Sequence, residues 1–358
     1  MSTATPQRSA LVMAGGTGGH IFPGLAVAQA LRNTGWNVRW LGAPDSMESR
    51  IVPPRGFAMD LIAFQGVRGK GRMALLAAPW RLARACLQSL ALLRRLRPSV
   101  VVGLGGYISL PAGLVAAVLR IPLVLHEQNA VAGLANRVLA RLARRVFSAY
   151  PDTLPGARWV GNPLRAEFLQ QAAPAQRFAG RSGPLRLLVV GGSLGARALN
   201  TVVPQALALM DAAQRPIVVH QSGEKQIDAL RSNYAAAGIE ATLTPFIDNT
   251  AQAFADADLV LCRAGASTVT EIAAVGAAAV FVPFPFAVDD HQTHNARFLV
   301  DAGGGWLLPQ PQLTAAHLAQ MLQTLDRSAL LQRAQAAKAM EKTQATAAMA
   351  AACEELAA

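Results

Sequence analysis

The chain has 358 residues, 52% hydrophobic and 15% charged, so a large core is available, a disordered protein is excluded, and the length points to two domains. Its three cysteines, Cys86, Cys262 and Cys353, lie far apart with no CxxC pair, which argues against a disulfide framework or a zinc ribbon and fits a reducing compartment. The net charge of +12 is lopsided: residues 1–165 carry 20 Lys and Arg against 5 Asp and Glu, and residues 166–358 carry 13 against 16, so the first half is expected to face an anionic partner, either nucleic acid or a membrane surface. The amino terminus has no long apolar stretch behind a basic start, and no run supplies the ~20 clean apolar residues of a membrane span, so a cytoplasmic protein is expected.

In chain order, apolar runs alternate with glycine turns and Ala/Leu/Arg segments of helical spacing. SALVMA (9–14), NVRWLGA (37–43), SVVVGLGG (99–106), IPLVLHEQN (121–129) and RVFSAY (145–150) read as strands of a first half. LRLLVVGG (185–192), PIVVHQSG (216–223), ATLTPFI (241–247), DLVLCRAG (258–265) and AAVFVPF (278–284) read as strands of a second. The alternation predicts an α/β fold whose parallel sheets are covered by helices on both faces. LVMAGGTGGH and LLVVGGSLGA open the two halves alike, as strand, glycine turn and helix, so two Rossmann-like domains are expected. Asn-Pro in GNPLRAEF (161–168) interrupts local structure and sets the expected domains at 1–163 and 164–358. The Gln/Ala-rich tail, 313–358, reads as helices without evident chemistry.

A turn between a parallel strand and a helix exposes backbone N–H groups at the positive end of the helix dipole, which suits a phosphate or pyrophosphate. Neither glycine turn is a Walker A loop or a GxGxxG fingerprint. GGSLG (191–195) also fits the GxSxG nucleophile elbow, with Ser193 as nucleophile and Asp289, Asp290 and His291 as partners, so a hydrolase and a phosphate cradle both stay open on that motif. CRAGASTVTEIAAVG (262–276) reads as a strand end, a turn of small residues and a helix beginning near Ser267 or Thr268, with Glu271 in its first turn. That carboxylate suits either the helix dipole or a ribose diol. DDHQTHNA (289–296) is a dense polar cluster after an apolar strand, read as a metal site lacking an evident third ligand or as donors for a hydroxyl-rich ligand. DAD (256–258) precedes a strand and reads as a helix–strand turn. HEQN (126–129) and GGYISLP (105–111) add two further loops at strand ends. Residues 68–98 hold eight Lys and Arg and no acid, interleaved with leucines and Trp80; such a segment favours an anionic bilayer, and without spaced aromatics for base stacking it does not favour nucleic acid.

GGTGGH, GGY, HEQN, GNPLR, GGSLGA, GAST..E and DDHQT.NA, in this order from Leu11 to about Leu308, resemble the family of bacterial UDP-N-acetylglucosamine transferases that complete lipid II. The resemblance implies a GT-B architecture, two Rossmann-like domains facing an interdomain cleft. It implies inverting transfer of N-acetylglucosamine from UDP-N-acetylglucosamine to the C4 hydroxyl of the N-acetylmuramoyl sugar of lipid I, at the cytoplasmic face of the inner membrane. By the same resemblance Ile247 meets the uracil through its backbone and Glu271 holds the ribose. Ser193, Ala266, Ser267 and Thr268, with Val269 and Thr270 behind them, cradle the diphosphate, and Arg165 contacts the nucleotide. Gln292 binds the sugar hydroxyls, with Thr17, Gly18, Gly19 and Asn129 closing from the first domain. Gly15, Gly16, Gly105, Gly106 and Tyr107 receive the acceptor diphosphate. The chain departs from the family pattern at His291, where some members carry Gln, and at Leu110–Pro111, where Gly-Pro is common.

His20, beside the first glycines, is the expected general base, because an imidazole titrates near neutrality. No metal and no cofactor are expected, since backbone N–H groups and a helix dipole suffice to stabilise departing UDP. The expected partners are UDP-N-acetylglucosamine, lipid I and an anionic membrane surface through residues 68–98, with no nucleic acid; other cell-wall and division proteins complete the set. A related GT-B enzyme with another lipid acceptor is the nearest alternative.

Overall fold

The computed structural model describes residues 8–64, 77–192 and 195–357. Ser193 and the stretch 68–76 of the basic segment lie outside the described residues. The chain forms two compact units, one of residues 1–164 with 343–358, the other of residues 165–342.

In the first unit the strands are β1 (Ser9–Met13), β2 (Asn37–Gly42), β3 (Ala58–Leu61), β4 (Val100–Gly103), β5 (Leu123–Glu127), β6 (Arg145–Ser148) and β7 (Arg158–Trp159). All pair in parallel, in the order β3-β2-β1-β4-β5-β6-β7. Both faces of β1 are buried, which is why it reads as an unbroken apolar run. Side chains alternate across a strand, so Ala10 and Val12 join one core with the helix Gly18–Asn33. Leu11 and Met13 join another, beneath the helices Ala78–Leu96 and Ser109–Val118.

In the second unit β8 (Arg186–Val190), β9 (Ile217–Gln221), β10 (Thr242–Thr244), β11 (Leu259–Cys262), β12 (Ala279–Phe281) and β13 (Gly305–Leu307) pair in parallel, in the order β10-β9-β8-β11-β12-β13. Leu187, Val189, Leu259, Leu261 and Val280 form its core with Leu199, Val203, Leu230 and Leu330 from the covering helices.

Each sheet reverses its strand order beside its first strand, between β1 and β4 and between β8 and β11. That is the doubly wound pattern, in which ligands bind outside the carboxyl ends of the strands at the reversal. Both glycine turns read from the sequence follow those first strands.

Three short strands escaped the sequence reading: β3, β7 and β13, all of them at sheet edges and none carrying a long apolar run. The tail also departs from the expected 164–358 domain. Ala345, Met349, Ala352 and Cys353 stand at i, i+4, i+7 and i+8 on the helix Ala345–Leu356, an apolar stripe that packs into the same core as Val12 and Leu31 of the first unit. Residues 343–358 therefore belong to the first unit.

Candidate functional site

In the first unit three loops meet around one imidazole. The loop after β1 runs from Ala14 into the helix Gly18–Asn33, whose N-cap, Thr17, has an extended backbone and makes no side-chain cap bond. Thr17 is exposed, and of the first helical amides that of His20 donates to the Thr17 carbonyl at 3.1 Å. His20 lies in that first turn. Gly105, from the loop after β4, lies against it so closely that an added Cβ would stand 3.2 Å from the His20 ring. Gly106 touches the first loop directly, where a Cβ would lie 2.3 Å from the carbonyl oxygen of Gly15. From the third loop, after β5, Gln128 Oε1 lies 2.8 Å from His20 Nδ1.

The polar run HEQN divides between the two sides of the strand. His126 and Gln128 share one side and are fully buried. His126 Nε2 lies 2.8 Å from the Gly161 carbonyl, and the Gln128 amide nitrogen lies 3.1 Å from His126 Nδ1 and 3.0 Å from the His126 carbonyl. Burial pushes the His126 imidazole down to about 4, against the opposing pull of the Gly161 bond, so it is neutral at physiological pH. Glu127 faces the other way, and its carboxylate accepts from Asn129 N, Asn129 Nδ2, Gly133 N and Asn136 Nδ2. Its oxygens are committed to shaping the loop that carries Asn129.

A second buried carboxylate went unremarked in the sequence. Glu48 accepts from Gly16 N at 3.1 Å and Ala43 N at 3.2 Å and is packed against Gly15. The Gly16 amide is therefore committed to Glu48 rather than offered to a diphosphate. Tyr107 stacks its edge beside Gly16, and burial, followed by the charge of Glu48, pushes its phenol up.

In the second unit the turn after β8 is held by Gln221, at the carboxyl end of β9. Its amide oxygen accepts from Gly192 N at 3.2 Å, and its nitrogen donates to Gly192 O at 3.1 Å and Pro245 O at 3.0 Å. One side chain thus joins the glycine turn to the loop carrying Ile247. The Ile247 carbonyl accepts from Thr250 Oγ1, and its N–H has no hydrogen bond among the described residues.

The helix after β11 spans Ala266–Val275 with Gly265 as N-cap. It begins before Ser267, with Gly265 rather than a hydroxyl side chain at its N-cap, and Glu271 consequently lies in its second turn rather than its first. Ser267 Oγ is buried without a hydrogen-bond partner among the described residues, an unusual state for a hydroxyl. Val269 is wholly buried, and the Thr270 hydroxyl bonds back to the carbonyls of Ala266 and Ser267. Of the stretch 266–271, then, Ser267 Oγ is left without a partner among the described residues, while Val269 and the Thr270 hydroxyl serve the helix.

The Glu271 carboxyl is closely surrounded by protein, although the residue keeps part of its surface. Burial pushes it up to about 7, and the nearby cation of Arg165 pulls the other way. Gln292 uses its amide oxygen to accept from Phe284 N at 2.9 Å, which turns its NH2 group outward as a donor.

Of the residues enlisted for a hydrolase, Ser193 lies outside the described residues, and two others are engaged locally. His291 Nδ1 is bonded to the Val288 carbonyl at 2.7 Å, and Asp290 accepts from Thr293 Oγ1 at 2.7 Å. Asp258 of DAD is buried at the amino end of β11, paired with Arg181 at 2.6 Å and Arg327 at 3.2 Å, a structural role. Among the described residues no group of three or more His, Cys, Asp or Glu could hold a metal ion, and no helix is long and apolar enough to cross a membrane.

Two doubly wound units, each with a glycine turn after its first strand, have the architecture of a two-domain glycosyltransferase. Residues 10–148 match the glycosyltransferase family 28 N-terminal domain and residues 186–352 its C-terminal domain, and the chain belongs to this family. It is 68% identical over 351 residues, 98% of this chain and 88% of the relative, to the UDP-N-acetylglucosamine--N-acetylmuramyl-(pentapeptide) pyrophosphoryl-undecaprenol N-acetylglucosamine transferase of Acidovorax sp. (strain JS42). It is 68% identical to the protein of the same name from Paracidovorax citrulli, covering 98% of this chain and 99% of that one. The crystal structure of Acinetobacter baumannii MurG, 40% identical, superposes with a TM-score of 0.85 over 97% of this chain and 99% of that chain.

Proposed function

We propose that this glycosyltransferase moves N-acetylglucosamine from UDP-N-acetylglucosamine to the C4 hydroxyl of the N-acetylmuramoyl sugar of lipid I, with inversion, giving lipid II and UDP. The observation that carries the reading is the 68% identity, over 98% of the chain, to relatives named for this transfer. His20 takes the proton of the C4 hydroxyl as its oxygen attacks the anomeric carbon. The bond from that carbon to UDP breaks, and its electron pair goes to the β-phosphate oxygen. Ser267 Oγ, the hydroxyl of Thr268 and the first amides of the helix Ala266–Val275 stabilise the diphosphate. Ser193 of the GGSLG motif joins them as a hydrogen-bond donor. Glu271 accepts from the ribose diol, Arg165 balances nucleotide charge, the Ile247 backbone meets the uracil, and Gln292 donates to the sugar. The loops of Gly15, Gly16, Gly105, Gly106 and Tyr107 take the acceptor side. UDP release measured with and without a short-chain lipid I analogue tests the proposal; release that ignores the analogue, or tight donor binding without release, would overturn the acceptor assignment.

The raised Glu271 carboxyl gives this site a pH signature. Diol binding needs the charged form, which grows as pH rises through about 7, so the Kd for UDP-N-acetylglucosamine falls between about pH 6 and about pH 8. Glu271→Gln weakens binding by roughly tenfold, the loss of about one charge-assisted hydrogen bond, and flattens the pH dependence. Calorimetry at several pH values checks both; a parallel pH dependence in the variant would remove Glu271 from the donor site. The folded protein holds this proton more tightly than the unfolded chain, so the group's stabilising effect is present below the usual carboxylate range and is lost as pH rises through about 7.

The helix Ala78–Leu96 supports a peripheral place on an anionic bilayer. Trp80 is 77% and Leu87 68% exposed, with Arg81 and Arg84 exposed between them. Charge reversal at Arg81 and Arg84 is expected to release the protein from anionic liposomes, as is high salt. Unchanged flotation in both cases would refute the electrostatic part.

A further inference from the structure

We propose that Gln128 is a positioning residue that fixes the tautomer of His20, presenting Nε2 as the proton-accepting nitrogen. The inference rests on the reading of His20 as general base.

The argument follows donors and acceptors along one buried chain of contacts. A carbonyl oxygen only accepts, so the 2.8 Å contact between His126 Nε2 and Gly161 O puts a hydrogen on Nε2. His126 is neutral, so its Nδ1 carries a lone pair. The Gln128 amide nitrogen fits that lone pair, and its second hydrogen goes to the His126 carbonyl. Both hydrogens of the amide are then used, and its orientation admits no exchange of nitrogen and oxygen, because an oxygen would face the His126 carbonyl. Gln128 Oε1 is left as the atom 2.8 Å from His20 Nδ1. An amide oxygen only accepts, so His20 Nδ1 must donate. In a neutral imidazole the lone pair then lies on Nε2.

The strand geometry selects an amide for this task. The neighbouring carboxylate, Glu127, is turned to the opposite side and spent on the loop that carries Asn129. His20 is therefore oriented by a neutral acceptor that dictates which nitrogen carries hydrogen without adding charge beneath the ring. A base presented in the wrong tautomer would offer an N–H to the attacking hydroxyl, and the proton would have nowhere to go. Partners that orient metal-bound histidines matter about 10- to 100-fold to metal affinity or activity, and that range sets the scale of the effect expected of Gln128.

The test begins with the unaltered protein. Long-range proton–nitrogen NMR of 15N-histidine-labelled protein, at alkaline pH where imidazoles are neutral, reads which ring nitrogen carries hydrogen. The His20 signals are assigned by their loss in His20→Ala. Nδ1–H is expected for His20, and a predominant Nε2–H would overturn the proposal without any further variant. Gln128→Leu removes the acceptor. It should raise the Nε2–H population and lower kcat about tenfold or more at unchanged KM for UDP-N-acetylglucosamine. Gln128→Glu keeps an oxygen facing Nδ1 and should retain Nδ1–H. If Gln128→Leu leaves both tautomer and kcat as they were, Gln128 does not position His20. If His20 is found as Nδ1–H but His20→Ala still turns over normally, the base reading itself fails, and the two failures are thereby told apart.

Discussion

His20→Ala lowers kcat by about 10²- to 10⁴-fold, the range a positioned general base contributes, while donor affinity stays nearly unchanged. The split follows from where the groups lie. The residues proposed to bind the donor, Ser267, Thr268, Glu271 and Gln292, belong to the second unit, whereas His20 stands on the first. Removing the imidazole also removes its contact with Gln128 and leaves a space beside Gly105, so part of any loss in the alanine variant is structural. His20→Asn separates the two effects. Its amide nitrogen sits near the place of Nδ1 and can still donate to Gln128 Oε1, but nothing occupies the place of Nε2. The same loss of kcat in both variants, with the asparagine variant as stable as the parent, identifies proton transfer. UDP release in the presence of a lipid I analogue, at saturating donor, gives the number. Turnover near that of the parent in either variant would remove His20 from the chemistry.

The elements the sequence made legible are those whose burial is continuous. β1, β4, β8 and β11 carry buried apolar runs with glycine-containing turns after them, and these stand out; β5 is as deeply buried but ends in His126 and Glu127. β3 and β7 close the edges of the first sheet, and β7 has only Arg158 and Trp159, which carry no pattern to read. The last helix was recognisable as a helix from the Gln- and Ala-rich composition of the tail, but its membership of the first unit depends on a partner more than three hundred residues earlier, the helix Gly18–Asn33.

The candidate site divides in the same way. Groups at strand ends with an obvious chemistry, His20, Glu271 and Gln292, were legible one by one. Those that hold them were not, because their partners are distant in sequence and mostly backbone: Glu48 grips Gly16, Gln221 grips Gly192, and Gln128 reaches back to His20. One weak signal was available. Gln128 and Gln221 each stand at the carboxyl end of a buried apolar strand, where an uncharged amide with two donors and an acceptor is costly to bury unless every atom is used. The helix start at Ala266 was misplaced by one or two residues for want of a capping side chain, and that displacement alone carried Glu271 from the first turn to the second.

Gly106→Ala is expected to be the most damaging small substitution in the first unit. Gly106 has φ +82°, a conformation that strains any side chain by about 1–2 kcal/mol, and an added Cβ would lie 2.3 Å from the Gly15 carbonyl oxygen and 3.0 Å from its carbon. Those atoms are backbone and cannot swing aside. Relief requires the loop after β4 to move from the loop after β1, yet Trp40 Nε1 holds the Ala14 carbonyl at 3.0 Å and Glu48 holds the Gly16 amide. Strain and clash together should cost about 2–4 kcal/mol, or a fall of roughly 5–12 °C in the melting temperature of a unit this size. Trp36, Trp40, Trp80 and Trp159 are four of the five tryptophans and all lie in the first unit, so tryptophan fluorescence follows its unfolding directly. Turnover should fall as well, even where the protein is folded, because Gly105 and His20 move with the displaced loop. Binding of UDP-N-acetylglucosamine should survive, since the second unit has its own sheet and core. Gly133→Ala is the matched control: no atom lies within 4 Å of its added Cβ, and its φ of −66° suits alanine. If Gly106→Ala melts and turns over like Gly133→Ala, the two glycine loops do not depend on their close approach, and the packing of the site around His20 must be sought elsewhere.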